Sequence, residues 1–337
     1  MPLLDDDRLV FRFPEIDEGA SFEIDFQRTL RIPDTDRDYP LPPGFGRFPL
    51  EHVEDHPALP EHTRRRGGVL LPMWQAEAMW LNFNHRGERL PVAVKVAAGK
   101  INAVTGEPWT TPLNRDPQDY VVCPEQPWLD GFAVEPGVIR QFVAMPLGVG
   151  YSAEEQLTGE AEWGGLQISV TPLKQDVWER IRSRENRSVR FGINPALQER
   201  GDMGFGAGGR MRQEICVDRR KLADWDQRAT QRVFVTLWHA SQWRDLTGRP
   251  APTEPPLAKD YADAGLPWFE YYGRGSEAAP GSERLRGLVG PHIFEKIFEK
   301  NAGASLSESK DVETGEPTPI GPGARGPRQI KSPSGKL

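Results

Sequence analysis

Apolar and polar residues alternate over two stretches near the N-terminus. Leu9–Phe13 and Phe22–Phe26 each place an apolar side chain at every second position, which is the period of a half-buried strand. Glu18 and Gly19 lie in the connection between them. The pattern predicts an N-terminal β-hairpin with one apolar face. Further strands are predicted over three other apolar runs, at Pro91–Ala97, Tyr120–Cys123 and Arg232–Leu237.

The region Trp128–Leu173 is the one around which the rest of the chain is predicted to be organised. Glu135-Pro136-Gly137 separates two predicted strands, Trp128–Val134 and Val138–Met145. Proline followed by glycine favours a type II turn, so a hairpin is predicted. Its second strand carries Arg140 and Gln141 among apolar residues. Because buried polar groups need partners, both are candidate binding residues.

A short helix is predicted directly after this hairpin. Ser152 and Glu155 have the spacing of a capping box, and Gly159 can provide a left-handed C-terminal cap. Glu154, Glu160 and Glu162 offer candidate carboxylates beside Trp163. The alternative is a surface helix whose glutamates only favour its N-terminus.

Two other segments are less regular. The proline-rich stretch Pro33–Gly68 is either an ordered loop that wraps around the body or a linker, and its aromatic residues favour wrapping. Trp74–Phe83 fits a helix as well as a strand. By contrast, Asp176–Arg187 has the charged composition of a surface helix.

The composition favours short strands joined by ordered turns. Glycine and proline number 34 and 32, and ten tryptophans offset a low apolar content of 37%. The predicted fold class is α+β and β-rich, with sandwich-like antiparallel sheets, long ordered Pro/Gly loops and few short helices. We expect one body over residues 5–275, an amphipathic helix over 282–300 and a disordered, basic-ended tail over 302–337.

Charge, apolar runs and cysteine content argue against a nucleic-acid-binding, membrane-spanning or disulfide-stabilised protein. The net charge is −7 and the charges are mixed along the chain, so no nucleic-acid footprint is present. The sequence has no signal peptide, no apolar run long enough to cross a membrane, and only two cysteines. A cytoplasmic protein without a cofactor is therefore expected.

Histidines supply the candidate catalytic and metal-binding groups. His52, His56 and His62 lie close together in sequence, and two imidazoles with a carboxylate could bind zinc; a solvated acidic loop is the alternative. His239 lies between two tryptophans, with Asp245 as a possible partner. It is the candidate catalytic histidine, and a histidine packed among indoles is the alternative.

Three further features suggest binding. Arg210 and Arg212 end a glycine-rich segment that could hold an anion. Trp163 and Trp243 could stack on a sugar. The predicted helix after Pro291 presents an apolar face for a partner or a second copy, formed by Ile293, Phe294, Ile297 and Phe298.

Three runs of the sequence resemble an uncharacterised group of actinobacterial, other bacterial and fungal proteins. They are IRQFVAMPLGVGYSAEEQLTGEAEWGGLQ, AGKINAVTGEPW and DAGLPWFEYY. Some members are labelled "integral membrane protein", a label that conflicts with the absence of a long apolar run. The resemblance implies no activity.

The leading functional hypothesis is a non-enzymatic binding or self-assembly protein, because no complete catalytic constellation is visible. The second is a hydrolase that uses Glu154 or Glu160 with His239, with or without a metal at His52 and His56. The third is a carbohydrate-binding protein that uses Trp163 or Trp243.

Overall fold

The computed structural model describes residues 1–30, 44–74, 77–145, 147–148, 150, 152–160, 163–188, 211–254 and 326–331. Within these ranges the chain forms two packed β-sheets with a few short helices. The predicted β-rich, sandwich-like fold is therefore confirmed. The predicted helix over 282–300 lies outside the described residues.

The strands of the first sheet lie mainly in the N-terminal half. They are β1 (Leu3–Asp5), β2 (Arg8–Arg12), β3 (Ser21–Leu30), β6 (Glu77–Arg86), β10 (Trp128–Leu129), β11 (Gly131–Glu135), β12 (Val138–Val143), β14 (Met211–Arg212) and β16 (Arg328–Gln329). Their order is β11-β12-β6-β3-β2-β1-β16. In addition, β10 pairs with β6, and β14 pairs with β12.

The second sheet is formed by the remaining strands. They are β4 (Glu51–His52), β5 (Val69–Met73), β7 (Val92–Ala98), β8 (Ile101–Asn102), β9 (Val121–Cys123), β13 (Leu166–Pro172) and β15 (Gln231–His239). Their order is β4-β5-β15-β13-β7-β8, with β9 beside β7. All described pairs in both sheets are antiparallel except β5 with β15.

Four α-helices lie among the described residues. They are α1 (Glu61–Arg66), α2 (Ala153–Thr158), α3 (Gln175–Ser188) and α4 (Trp243–Thr247). Helix α2 has the predicted capping box between Ser152 and Glu155, and Gly159 adopts the left-handed conformation at φ +76°. Helix α3 confirms the helix predicted over Asp176–Arg187.

Alternation along the strands produces a single large core between the sheets. Phe22, Ile24 and Phe26 of β3 point inward and are almost fully buried. They join apolar side chains from the second sheet, among them Val94 and Ile168. The inward faces thus contain the apolar residues that the period-two pattern identified.

Two regions differ from what the sequence predicted. The segment Trp128–Val134 was expected as one strand, but Asp130 separates β10, which pairs with β6, from β11, which pairs with β12. The tail predicted to be disordered over 302–337 lies outside the described residues except for 326–331, where Arg328–Gln329 form a strand against β1. A short basic segment gains order here because a sheet edge offers it backbone partners.

Parts of the ambiguous and proline-rich segments are also described, whereas residues 33–43 of the proline-rich segment lie outside the described residues. Trp74–Phe83 contributes to β6, whose pairing with β3 extends from Ser21↔Arg86 to Leu30↔Glu77. In the proline-rich segment, residues 44–68 wrap against the body: Phe48 is fully buried, and its N–H donates to the Phe26 carbonyl at 2.7 Å.

Candidate functional site

A polar cleft of about 530 Å³ lies on the outer face of the first sheet. It is formed where the alternation of β2, β3 and β6 turns polar side chains away from the core, and the loop before β4 adds one edge. We call this feature the polar cleft. It is lined by Arg8, Glu23, Asp25, Gln27, Gly46, Arg47, Asn82, Asn84 and Arg86.

Asp25 lies near the centre of the cleft and accepts three amide hydrogen bonds. Its Oδ1 is 2.5 Å from Gln27 Nε2, and its Oδ2 is 3.1 Å from Asn82 Nδ2 and 3.3 Å from Asn84 Nδ2. The register explains the cluster, because Asp25 lies directly opposite Asn82 and Glu23 opposite Asn84. Asp25 is only 2% exposed, so these amides replace the water that a carboxylate would otherwise bind.

Glu23 is the second buried carboxylate of the cleft. Its Oε1 is 2.7 Å from Arg86 Nε, and its Oε2 is 3.8 Å from Arg8 Nε. Burial raises the pKa of Glu23, while Arg86 and Arg8 oppose that shift. Loss of hydration therefore outweighs the two guanidinium groups.

Each guanidinium group of the cleft has a carboxylate partner. Arg8 Nη1 and Arg47 Nη2 lie 3.0 and 3.1 Å from Asp6 Oδ2, and Arg86 pairs with Glu23. The hydrogen bond from Arg47 lowers the pKa of Asp6. The cleft consequently presents many donors and acceptors but no large excess of either charge.

Two half-buried tryptophans flank the row of amides. Trp80 lies opposite Gln27, and Trp128 lies opposite Asn82 on the next strand. The Trp80 Nε1 atom is buried and has no hydrogen-bond partner among the described residues. Trp128 Nε1 donates to Asp130 Oδ2 at 2.9 Å. Directly opposed residues share a sheet face, so both indoles border the outer face on which the cleft lies.

A second polar cluster lies on the outer face of the second sheet, where the chain over residues 103–120 covers it. The Lys95 cluster consists of Lys95, Thr110, Pro112 and Asp119. Lys95 is fully buried, and its Nζ lies 2.6 Å from Asp119 Oδ2, 2.8 Å from the Pro112 carbonyl and 3.1 Å from Thr110 Oγ1. All three ammonium hydrogens thus have acceptors, and burial lowers the pKa of Lys95.

The predicted glutamates do not form an acid pair. Glu154 is buried, and its Oε2 accepts the backbone N–H groups of Trp163 at 3.2 Å and Gly164 at 2.9 Å. It therefore fastens the loop before β13 to α2. Glu160 is exposed and lies 3.3 Å from Lys100 Nζ. Glu162 lies outside the described residues.

His239 is not brought to these glutamates. Its Nδ1 accepts the backbone N–H of Ser241 at 3.2 Å, which caps the short turn after β15. Glu154 binds the backbone of Trp163, whose ring stacks on Phe234 with 6.1 Å between the ring centroids. Phe234 lies five residues before His239 on β15, and at the rise of a strand this separates the two residues by roughly 16 Å. The Glu154–His239 combination is therefore not assembled.

The predicted stacking tryptophans have partners within the protein. The ring of Trp163 contacts Phe234, and Arg66 Cζ lies 4.6 Å from its centroid. Trp243 is 1% exposed and belongs to a small core cluster with Val53 and Leu70. Trp243 is thus a core side chain rather than a surface for a sugar.

The three predicted metal-binding histidines lie in different elements. His52 ends β4, His56 follows the 3-10 turn Val53–Asp55, and His62 is in α1. His56 Nε2 is 2.9 Å from Glu51 Oε2. Across the described ranges, no group of three or more His, Cys, Asp or Glu side chains is arranged to hold a metal ion.

The remaining predicted binding residues are dispersed. Arg140 is half-buried in β12, and Gln141 Nε2 donates to the Leu30 carbonyl at 3.1 Å. Arg212 lies in β14 opposite Val138. Arg210 and the apolar residues of the predicted C-terminal helix lie outside the described residues.

Two alternating polar series in the sequence signal the polar cleft, and neither was predicted to form a site. Glu23, Asp25 and Gln27 occupy alternate positions of one strand, and Asn82, Asn84 and Arg86 those of another. The second series was hidden because Trp74–Phe83 was ambiguous between helix and strand.

The chain matches no protein-family model, no curated protein and no solved structure. The resemblance to an uncharacterised bacterial and fungal group therefore stays a prediction. In the part of the chain that the structure describes, no helix is both long and apolar enough to cross a membrane.

Proposed function

We propose that this chain is a non-enzymatic binding protein whose polar cleft holds a neutral, polyhydroxylated ligand such as a mono- or oligosaccharide. The observation that carries the proposal is the pairing of charges in the cleft. Every lining arginine already has a carboxylate partner, so an anionic ligand would meet no unpaired guanidinium group. The carboxylate of Asp25 is held by three neutral amides, which leaves acceptors and donors for hydroxyl groups rather than a strongly charged surface.

The hydrogen-bonding groups of the cleft suit hydroxyl groups. A hydroxyl both donates and accepts, and the cleft offers carboxylate acceptors (Glu23, Asp25) beside amides that do both (Gln27, Asn82, Asn84). The volume of about 530 Å³ falls within the rough 300–1,000 Å³ of small-molecule sites.

The flanking tryptophans support the same class of ligand. Trp80 and Trp128 border the sheet face of the cleft and are half-buried. An indole provides an apolar surface with a polar edge, which suits the apolar C–H face of a sugar ring. The role expected of Trp163 or Trp243 is thereby transferred to a different pair of indoles.

A screen of neutral mono- and oligosaccharides by ligand-observed NMR tests the proposal, with bound sugars then titrated calorimetrically. The double variant Asn82→Ala/Asn84→Ala should weaken binding at least tenfold, because it removes two amides from the cleft. Gln175→Ala, which removes an exposed amide from α3, is the matched control and should bind as the original chain does. Binding that survives the double variant unchanged would place the ligand elsewhere.

Acid–base chemistry at the same cleft is the second candidate function. It is favoured by one observation, the raised pKa of Glu23 in a cleft that also contains Asp25, since paired carboxylates in different environments serve as acid and base. Incubation with a bound oligosaccharide distinguishes the two. Cleavage that Glu23→Gln abolishes would establish a hydrolase, and intact sugar with retained binding supports the binding protein.

The cytoplasmic location stays part of this proposal. Cys123 is buried, and neither it nor Cys216 forms a disulfide, which supports a reducing compartment.

A further inference from the structure

Trp128 is held by a network of buried polar side chains. Its indole Nε1 donates to Asp130 Oδ2 at 2.9 Å. Its backbone carbonyl accepts the side-chain amides of Gln126 and Gln213, each at 3.1 Å. These three side chains belong to residues that are no more than 3% exposed, whereas Trp128 itself is half-buried. Buried groups therefore hold a residue that still reaches the surface.

The network joins segments that are far apart in the chain. Gln213 Oε1 accepts the backbone N–H of Asp130 at 3.1 Å, so one side chain binds both Trp128 and Asp130. The Asp130 carbonyl accepts the Phe142 N–H of β12 at 3.2 Å. The break between β10 and β11 is thus fixed from two sides, and Trp128 is fixed at both its ring and its backbone.

Asp130 is a costly support for a single indole hydrogen bond. Its Oδ1 is buried and has no hydrogen-bond partner within the described residues, and a buried polar atom without a partner costs free energy. Burial raises the pKa of Asp130 to about 8, and the hydrogen bond from Trp128 alone opposes that shift. The groups that face it from neighbouring segments, the amide of Gln213 and the backbone of Phe142, are neutral. An unsatisfied buried group calls for an explanation, and support of a functional side chain is one.

Trp128 lies where its ring can serve the polar cleft. It is directly opposite Asn82 in the pairing of β10 with β6, and Asn82 lines the cleft and donates to Asp25. Directly opposed residues share a sheet face. An indole that is already fixed in one orientation binds a ligand ring without first losing rotamer freedom, and this favours affinity.

We propose that Asp130 and Gln213 are positioning residues of the polar cleft, which hold the indole of Trp128 against the apolar face of a sugar ring. The inference rests on the proposed function, because that function supplies the ligand of the ring. Both residues act through Trp128 rather than on the sugar. Asp130 also makes the hold sensitive to pH: once it is ionised, the buried Oδ1 carries charge without a donor, so the carboxylate favours arrangements that admit water and loosen the indole.

Calorimetric titration of a bound sugar at pH 7 tests the positioning role. Asp130→Ala and Gln213→Ala should each weaken binding by about fivefold or more, because the indole is no longer held. Asp130→Asn should bind within about twofold of the original chain, since its amide oxygen still accepts the indole N–H. Gln175→Ala, which removes an exposed amide from α3, is the control and should bind as the original chain does.

The pH profile of binding provides a readout that a merely structural role would not change. Affinity of the original chain should be level up to about pH 7 and should fall as the pH rises through about 8, where Asp130 loses its proton. Asp130→Asn should stay level over the same range. A profile that is level in the original chain as well would mean that Asp130 does not act on the site.

The indole N–H resonances of nitrogen-15-labelled protein provide a second readout, which needs no ligand. Trp128→Phe identifies the signal of Trp128. That signal should shift in Asp130→Ala and stay close to its original position in Asp130→Asn. The signals of the other tryptophans should be retained in both variants, which shows that the variants fold.

The outcomes distinguish this inference from the proposed function. Sugar binding that survives Asp130→Ala and Gln213→Ala but is lost in Asn82→Ala/Asn84→Ala would overturn the positioning role and leave the sugar site in place. If the original chain binds no sugar, the proposed function is wrong and the inference falls with it. An unchanged Trp128 signal in Asp130→Ala would overturn the positioning role whether or not a sugar binds.

Discussion

Both sheets carry buried ionisable groups on their outer faces, but these groups are covered by a loop on one sheet and line an accessible cleft on the other. In the Lys95 cluster a long loop covers the face, and each ammonium hydrogen has an acceptor inside the protein. In the polar cleft, carboxylates of similar burial line an accessible space of about 530 Å³. Burial of a charged side chain therefore does not by itself indicate a site. What matters is whether its partners close around it or leave room for a ligand.

Replacement of Lys95 should cause the largest loss of stability if the covered cluster is purely structural. Lys95→Met leaves Asp119 buried without its charge partner, and we expect the free energy of unfolding in urea at pH 7 to fall by about 3–5 kcal/mol. The double variant Lys95→Met/Asp119→Asn should recover part of that loss, because the orphaned carboxylate is removed. A loss below about 1 kcal/mol for Lys95→Met would show that the cluster tolerates an open pair and would weaken the contrast with the cleft.

Asp130 extends the comparison to a covered acid on the first sheet. Burial raises its pKa to about 8, opposed only by the hydrogen bond from Trp128. The native state then keeps a proton that the unfolded chain has lost, so unfolding releases it. Stability should therefore fall as pH rises from about 4 to 8, by up to about 1.4 kcal/mol per pH unit.

Urea unfolding at several pH values measures this slope. Asp130→Asn should flatten it, whereas Asp116→Asn at an exposed position should leave it as in the original chain. An unchanged slope in Asp130→Asn would mean that the acid is ionised in the native state.

Glu23 should contribute a pH dependence of stability with the same sign as that of Asp130, but a smaller one. Burial raises its pKa, but Arg86 and Arg8 oppose the shift, so stability is lost more gently as pH rises above the ordinary pKa of a glutamate. Because the raised pKa means that the site does not favour the charge, Glu23→Gln should change the unfolding free energy at pH 7 by less than about 1 kcal/mol. A loss as large as that of Lys95→Met would make Glu23 a structural ion pair.

Asn84 should give the smallest change in stability. Its amide makes one long hydrogen bond of 3.3 Å to Asp25, and Asp25 keeps those from Gln27 and Asn82. Asn84→Ala should therefore cost no more than about 0.5–1 kcal/mol in thermal or urea unfolding. If it destabilises the protein severely, the amides of the cleft exist for the fold and the case for a ligand weakens.

Local chemistry was readable from the sequence where a few neighbouring residues decide it. Ser152, Glu155 and Gly159 form the predicted caps of α2, and Pro136-Gly137 forms the predicted hairpin turn. The alternation in Phe22–Phe26 correctly identified the core-facing side of β3. In each case the interacting groups are close in the chain, so spacing and residue type are sufficient.

The candidate site could not be read in the same way, because its partners come from distant strands. Glu23 and Asp25 became a cleft only when β6 brought Asn84 and Asn82 opposite them. Glu154 and His239 were candidate partners in the sequence, yet Glu154 lies on α2 and binds the backbone of Trp163, while His239 lies at the end of β15. Trp243 became part of a core cluster. Strand order and register depend on the sum of many long-range contacts, and no single segment encodes them.

The sequence by itself therefore determined the β-rich class, the inward faces of the strands and the capped turns, because these follow from residue period and local hydrogen bonding. Only the tertiary structure decided which polar outer face is covered and which stays accessible, and that the basic segment at Arg328–Lys331 meets Asp55 and Glu54 at the edge of β1. Those outcomes depend on which strands become neighbours, and pairing between distant residues is settled when the whole core is buried.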